Sequence, residues 1–186
     1  MEQAEREALD RYLAGDREAL AALIERYRRP LYGFILKMTE GRGDADEIFQ
    51  ETWARTLRRL PGFRPDNLLG WLFRVARNLV IDEARRNARF RGLVDDGDGS
   101  PEVDRIPDPG PDPARQAAGG DLGRRIAESV RALPPDQREV FLMRTEAGLP
   151  FREIARVQQV PLNTALARMH YAVGKLRAAL RAERED

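Results

Sequence analysis

Cysteine is missing from all 186 residues, and histidine occurs once, as His170. The first absence excludes disulfides and zinc–thiolate sites, and it fits a reducing compartment. No P-loop appears, and no glycine-rich phosphate cradle follows a strand-like run. No apolar run approaches the roughly 20 residues that span a bilayer, so membrane insertion is not expected. The opening residues MEQAEREALD are acidic and polar, unlike a signal peptide, and the expected location is the cytoplasm. What is present is 42% hydrophobic and 34% charged residues. That balance suits a mostly helical protein of one domain or two small ones.

A net charge of +1 hides an uneven distribution. Residues 1–90 carry 17 Lys and Arg against 15 Asp and Glu, residues 91–121 carry 3 against 8, and residues 122–186 carry 12 against 8. Two mildly basic blocks therefore flank an acidic connector. The connector, GLVDDGDGSPEVDRIPDPGPDPARQAAGGD at 92–121, is rich in Gly, Pro and Asp. It offers too little apolar surface to offset ordering entropy, and its prolines oppose helix. It reads as a flexible linker between domains 1–91 and 122–186, longer than loops inside compact domains.

Before the linker, apolar residues recur at helical spacing in three blocks. The first holds Leu20, Leu23, Ile24, Tyr27, Leu31, Phe34, Ile35 and Met38, with Asp16 as N-cap and Pro30 expected to kink or interrupt it. The second runs from about Asp44 to Leu60, stopped by Pro61-Gly62. The third carries Leu68, Leu72, Val75 and Leu79 on one stripe with Trp71 beside it. After the linker, Ile126, Val130 and Leu133 mark a short helix, and Pro135 opens another that should stop near Gly148. Phe151, Ile154 and Ala155 form a third. A fourth carries Ala165, Met169, Ala172, Leu176 and Ala179, separated from it by Gln158-Gln159-Val160-Pro161. The last pair reads as a helix-turn-helix. The expected fold class is all-α: two small helical domains, the second a helix-turn-helix.

Catalysis is not expected. Asp44, Asp46, Glu47 and Glu51 sit at helical spacing, yet no histidine or second carboxylate helix completes a metal or acid–base site. A solvated or partner-binding face explains them better, and no cofactor or metal is expected. The basic tracts carry more. Arg74, Arg77, Asn78, Arg85, Arg86 and Arg89 are spaced along WLFRVARNLVIDEARRNARFR, with Trp71 and Phe73 beside them as stacking surface for single-stranded or melting DNA. Aromatics at helical spacing are more often core, however, and Trp71 is expected to be mostly packing. The preceding loop, LPGFRPDNLLG, holds Phe63, Arg64 and Asn67, which could cup an extruded base.

The runs DADEIFQETWARTLRRLPGFRP and LLGWLFRVARNLVIDEARR resemble region 2 of the extracytoplasmic-function (ECF) RNA polymerase sigma factors. LPPDQREVFLMRTEAGLPFREIARVQQVPLNTALARMHYAVGKLR resembles region 4 of that family. The two come in the family's order across a linker of suitable length, together covering about residues 16–180.

The resemblance implies a dissociable polymerase subunit that directs promoter recognition and transcription initiation. It implies core RNA polymerase (β′ clamp helices and β flap), promoter DNA and an anti-sigma factor as partners. Asp46, Glu47, Gln50, Glu51 and Trp53 would lie on the polymerase-docking helix. Phe63, Arg64, Asn67, Arg74, Arg77, Asn78, Arg85 and Arg86 would meet the −10 element. Arg152, Asn163, Thr164, Leu166, Ala167, Arg168, His170, Tyr171 and Lys175 would meet the −35 element. Leu166 and Ala167 depart from the polar residues common there, so they would touch a thymine methyl or a protein instead. Gln158-Gln159 replaces an apolar-Gly pair, and the lost glycine should alter the turn, because Gln does not readily take positive φ. The alternative function is a stand-alone helix-turn-helix regulator with a helical sensing or dimerisation domain.

Overall fold

The computed structural model describes residues 3–41, 45–62, 65–94 and 113–182, and every regular element among them is an α-helix. Phe63, Arg64, Asp44 and residues 95–112 of the expected linker lie outside the described residues. Four helices precede residue 95: α1 (Gln3–Leu13), α2 (Arg17–Met38), α3 (Ala45–Arg59) and α4 (Leu68–Val94). Four follow: α5 (Pro113–Arg131), α6 (Pro135–Thr145), α7 (Phe151–Gln158) and α8 (Leu162–Ala182). Helix therefore covers both margins of the 92–121 span, and α5 breaks its helical geometry at Gly120.

The first helix is not foreshadowed by a long apolar stripe. Leu9 anchors it, fully buried, and the Tyr27 hydroxyl donates to the Glu5 carboxylate. Asp16 caps α2 as its position suggested, accepting from the amides of Glu18 at 2.9 Å and Ala19 at 3.2 Å. Its other carboxylate oxygen accepts from Arg11, and that bond, ahead of the amide bonds, holds the carboxyl below its ordinary pKa. Pro30 does not interrupt α2, which continues eight residues to Met38. The missing amide costs one backbone bond, but Tyr27, Leu31, Phe34 and Ile35 bury around it and hold the chain helical.

Helix α3 buries Ile48, Thr52, Trp53 and Thr56. Both threonine hydroxyls donate one turn back, to the carbonyls of Ile48 at 2.7 Å and Thr52 at 2.8 Å, so neither is orphaned. Helix α4 packs on α3 and α2 through Leu68, Leu72, Phe73 and Ala76. In the second half, α6, α7 and α5 all pack on α8, which buries Ala165, Ala172 and Leu176. The two halves meet where α4 touches α7 and α2 touches α6. Their apolar residues join into one core.

The turn between α7 and α8 answers the glycine question. Gln159 takes the left-handed conformation (φ 57°, ψ 44°) that a glycine would take. The amide of Val160 bonds the Ala155 carbonyl at 3.0 Å and that of Gln159 bonds Arg156 at 3.3 Å, closing a Schellman motif. The expected change of geometry therefore does not occur; the glutamine accepts the strain instead. Left-handed backbone costs an L-residue about 1 kcal/mol, so Gln159→Gly should raise the melting temperature by a few degrees without moving α8. A thermal melt beside the parent chain checks it.

Candidate polymerase and promoter surfaces

Three surfaces are built from α3, α4 and α8. The first is the acidic face of α3. Asp46, Glu47 and Gln50 are exposed, at spacings that put them on one side of the helix. Glu51 is half-buried and accepts from Arg55 at 2.7 Å and Arg58 at 3.0 Å. The Arg55 bond is the main reason its carboxyl stays below the ordinary glutamate range. Because its folded pKa is depressed, this pairing is complete at neutral pH and is lost as pH falls through that lowered value. Trp53 does not join this face. It is 4% exposed, turned into the core by the same helical period that turns Glu47 outward. A partner at this face would meet carboxylates and Gln50, not the indole.

The second surface is a basic groove between the end of α3 and the start of α4, lined by Arg55, Arg59, Trp71, Arg74 and Asn78 among others. Arg74 and Asn78 are exposed one turn apart, and Trp71 is half-buried at the same edge. The Arg59 guanidinium lies 5.9 Å from the Trp71 ring centroid, a cation–π distance. Arg55 and Arg59 were not singled out from the sequence; only the packing of α3 against α4 brings them to the same side. Arg85 and Arg86 continue the exposed face of α4, with Arg86 paired to Glu83 at 2.9 Å.

Three residues expected at this surface are engaged elsewhere. Phe73 is fully buried against Phe34, with ring centroids 5.0 Å apart, so it offers no stacking face. Asn67 is the N-cap of α4: its Oδ1 accepts from the Gly70 amide at 2.9 Å. The side chain that the resemblance assigns to a flipped base is thus holding the helix start. Arg77 points away from the groove and donates to Glu139 at 2.8 Å, leaving 19% of its side chain exposed.

The third surface is the outer face of α8. Asn163, Leu166, Ala167, His170, Tyr171 and Lys175 are exposed, Thr164 is half-buried, and Arg152 is exposed on α7. Leu166 and Tyr171 are 41% and 60% exposed, a large apolar share for side chains of this size. Arg168 is the exception. It turns inward, its Nε 3.0 Å from Asp136 and its Nη1 donating to Gln158 at 2.9 Å.

No described helix is long and apolar enough to cross a membrane. Among the described residues, no group of three or more His, Asp or Glu side chains is placed to hold a metal ion.

Helices alone among the described residues, with a helix-turn-helix packed on a second helical unit that bears acidic and basic faces, define a two-part helical class. Comparison with known proteins narrows it. The family model for Sigma-70 region 2 matches residues 23–90, and that for Sigma-70 region 4 matches residues 123–176. The ECF RNA polymerase sigma factor SigL of Mycobacterium tuberculosis is 32% identical over 171 residues, covering 90% of this chain and 92% of SigL. The ECF RNA polymerase sigma factor SigE of Mycolicibacterium smegmatis is 29% identical over 168 residues, covering 88% of this chain. The match spans 63% of SigE. Among solved structures, the sigma factor RpoE in complex with the anti-sigma factor NepR from Bartonella quintana shares the fold, with a TM-score of 0.68 at 19% identity over 87% of this chain and 96% of that one. The chain belongs to the ECF RNA polymerase sigma factors.

Proposed function

We propose that this chain binds core RNA polymerase and directs it to promoters, with the α3–α4 half meeting the −10 element and α8 meeting the −35 element. The observation that carries this reading is the pairing of an acidic face on α3 with a basic groove between α3 and α4. Asp46, Glu47 and Gln50 present hydrogen-bond acceptors to a basic docking surface such as the β′ clamp helices. One helix side away, Arg55, Arg59, Arg74 and Asn78 present donors to a phosphate backbone, and Trp71 adds a partly open ring. Phosphates cannot favour the first face, and an acidic partner cannot share the second.

At the other end, Asn163 and Thr164 open α8, where backbone amides and the helix dipole favour a phosphate. Leu166 and Ala167 then meet base edges by apolar contact, favouring a thymine methyl over a hydrogen-bonding edge. The flap of the β subunit is the expected dock for this half. An anti-sigma factor, the kind of partner RpoE has in its solved complex, is the expected control, and the bacterial cytoplasm is where these partners meet.

The test of the docking face is equilibrium binding of labelled protein to core polymerase. Glu47→Lys combined with Asp46→Lys should weaken binding by about tenfold or more, since each reversed charge now faces a like charge. Equal affinity of parent and variant would contradict the assignment of this face.

A further inference from the structure

Three helices of the second half are tied by a closed ring of polar groups. Asp136 stands in the first turn of α6, Gln158 is the last residue of α7, and Arg168 lies in the second turn of α8. Arg168 Nε lies 3.0 Å from Asp136 Oδ2, and its Nη1 donates to Gln158 Oε1 at 2.9 Å. Gln158 Nε2 closes the ring by donating to the Asp136 backbone carbonyl at 2.9 Å. The same nitrogen donates to Glu139 at 2.7 Å. Gln158 is 4% exposed, too deep to touch a nucleic acid.

The ring is selective for its members. Position 158 must accept from a guanidinium at one end and donate to two oxygens at the other. An amide does both, a leucine does neither, and a glutamate would set a second carboxylate against Glu139. At position 168 the guanidinium reaches two acceptors from one rigid plane. A lysine carries a single ammonium on a flexible stem and cannot hold both in fixed directions.

The place of Arg168 on α8 gives the ring a consequence for DNA reading. Residues four apart share a helix side, so Arg168 lies in line with Thr164 and Ala172. Ala172 is buried and Thr164 half-buried, which makes this the inner edge of α8. Leu166, Ala167 and His170 occupy the opposite, exposed side. The turn through left-handed Gln159 sets where α8 begins, and the ring sets how α8 is rotated about its own axis. A rotation by one residue, about 100°, would present a different set of side chains outward.

We propose that Arg168 is a positioning residue of the helix-turn-helix and not a DNA contact: the Asp136–Gln158–Arg168 ring fixes the rotation of α8 and so selects Leu166, Ala167 and His170 to read the −35 element. This rests on the assignment of α8 to that element above. Gln158 thereby governs base preference from a buried position.

The experiment compares the parent with Arg168→Ala, Arg168→Lys, Gln158→Leu and Asp136→Asn, all as full chains. Arg177→Ala, exposed on the same helix and outside the ring, is the control. Residual dipolar couplings of the α6 and α8 amides report the rotation of one helix on the other. Holoenzyme assembled with each variant is then titrated with a promoter fragment and with the same fragment carrying a scrambled −35 element, over a range of salt concentrations. Circular dichroism confirms helix content. Asp136→Asn keeps an acceptor for the Gln137 amide, and its site is 44% exposed, so it serves if Gln158→Leu fails to fold.

The expected result is shifted α8 couplings in the ring variants and unchanged couplings in Arg177→Ala. Preference for the intact −35 element should fall about fivefold or more for Arg168→Ala and Gln158→Leu. It should fall less for Arg168→Lys and Asp136→Asn, each of which keeps one link of the ring. The salt dependence of promoter binding should be the same for Arg168→Ala and Gln158→Leu.

A salt slope lower by about one counterion in Arg168→Ala alone means that Arg168 meets a phosphate directly, and it overturns the proposal. Couplings identical in the parent and all ring variants overturn it too, whatever the chain does with polymerase. Shifted couplings joined to a parent that never initiates with core enzyme remove the promoter assignment and leave the ring's control of α8 standing.

Discussion

Replacing Phe73 with alanine should lower the unfolding free energy by about 3–5 kcal/mol, the range for truncating a buried phenylalanine. That is a large share of the roughly 5–15 kcal/mol that holds a domain folded. The ring is fully buried and tilted 54° against Phe34, with fully buried Leu31, Leu72 and Ala76 in the same core. Its removal leaves a cavity between α2 and α4, and α4 forms one wall of the basic groove. Urea denaturation should show a lower midpoint with little change in slope. Phe73→Leu, which keeps most of the volume, should cost much less. A Phe73→Ala variant as stable as the parent would mean that the ring is not the pillar its burial indicates.

The second large effect belongs to function rather than stability. Arg74→Ala combined with Asn78→Ala should reduce promoter opening by holoenzyme about tenfold to hundredfold, because each loses a hydrogen bond in which a charged group takes part. Both side chains are exposed, so the melting temperature should hardly move. Binding to core polymerase should be preserved, since neither residue lies on the acidic face of α3. The dependence of promoter binding on salt should also flatten by about one counterion for the lost arginine. Arg77→Ala is a poor substitute for this experiment. It would strip the counterion from buried Glu139 and destabilise the chain whatever its effect on DNA.

The contrast between Arg74 and Arg77 shows how far the sequence can be read. Helical spacing was sufficient for most of the architecture. Asp16 caps α2, Leu68 and Leu72 face inward from α4, and Ala165, Ala172 and Leu176 face inward from α8. Local rules suffice there because the determinants lie within a turn or two of each other. Helix α1 escaped because its inward side holds one leucine and a glutamate satisfied by a tyrosine 22 residues away.

Charged side chains were harder to place. Arg77 and Arg168 look like their exposed neighbours in sequence, but each is drawn inward by a carboxylate on α6. Glu139 is 62 residues from Arg77, and periodicity carries no record of such a partner. Phe73, unlike Trp71, failed in a related way. Two aromatics two positions apart on a helix face different directions, and only packing against α2 decides which one is buried. Asn67 was read for its chemistry when its position before α4 already offered a helix cap. Gln159 shows the reverse case, a residue taking a backbone conformation its own preference opposes because the surrounding turn dictates it.

The central claim is that this chain supplies promoter specificity to RNA polymerase, and multiple-template run-off transcription tests it most directly. Core enzyme, purified free of other sigma factors, is mixed with the chain and with fragments of the source genome. The account predicts discrete transcripts from a small set of fragments, absent without the chain and reduced at least about tenfold by the Arg74→Ala, Asn78→Ala variant. No transcript from any fragment, together with tight sequence-specific duplex binding by the chain alone, would contradict it.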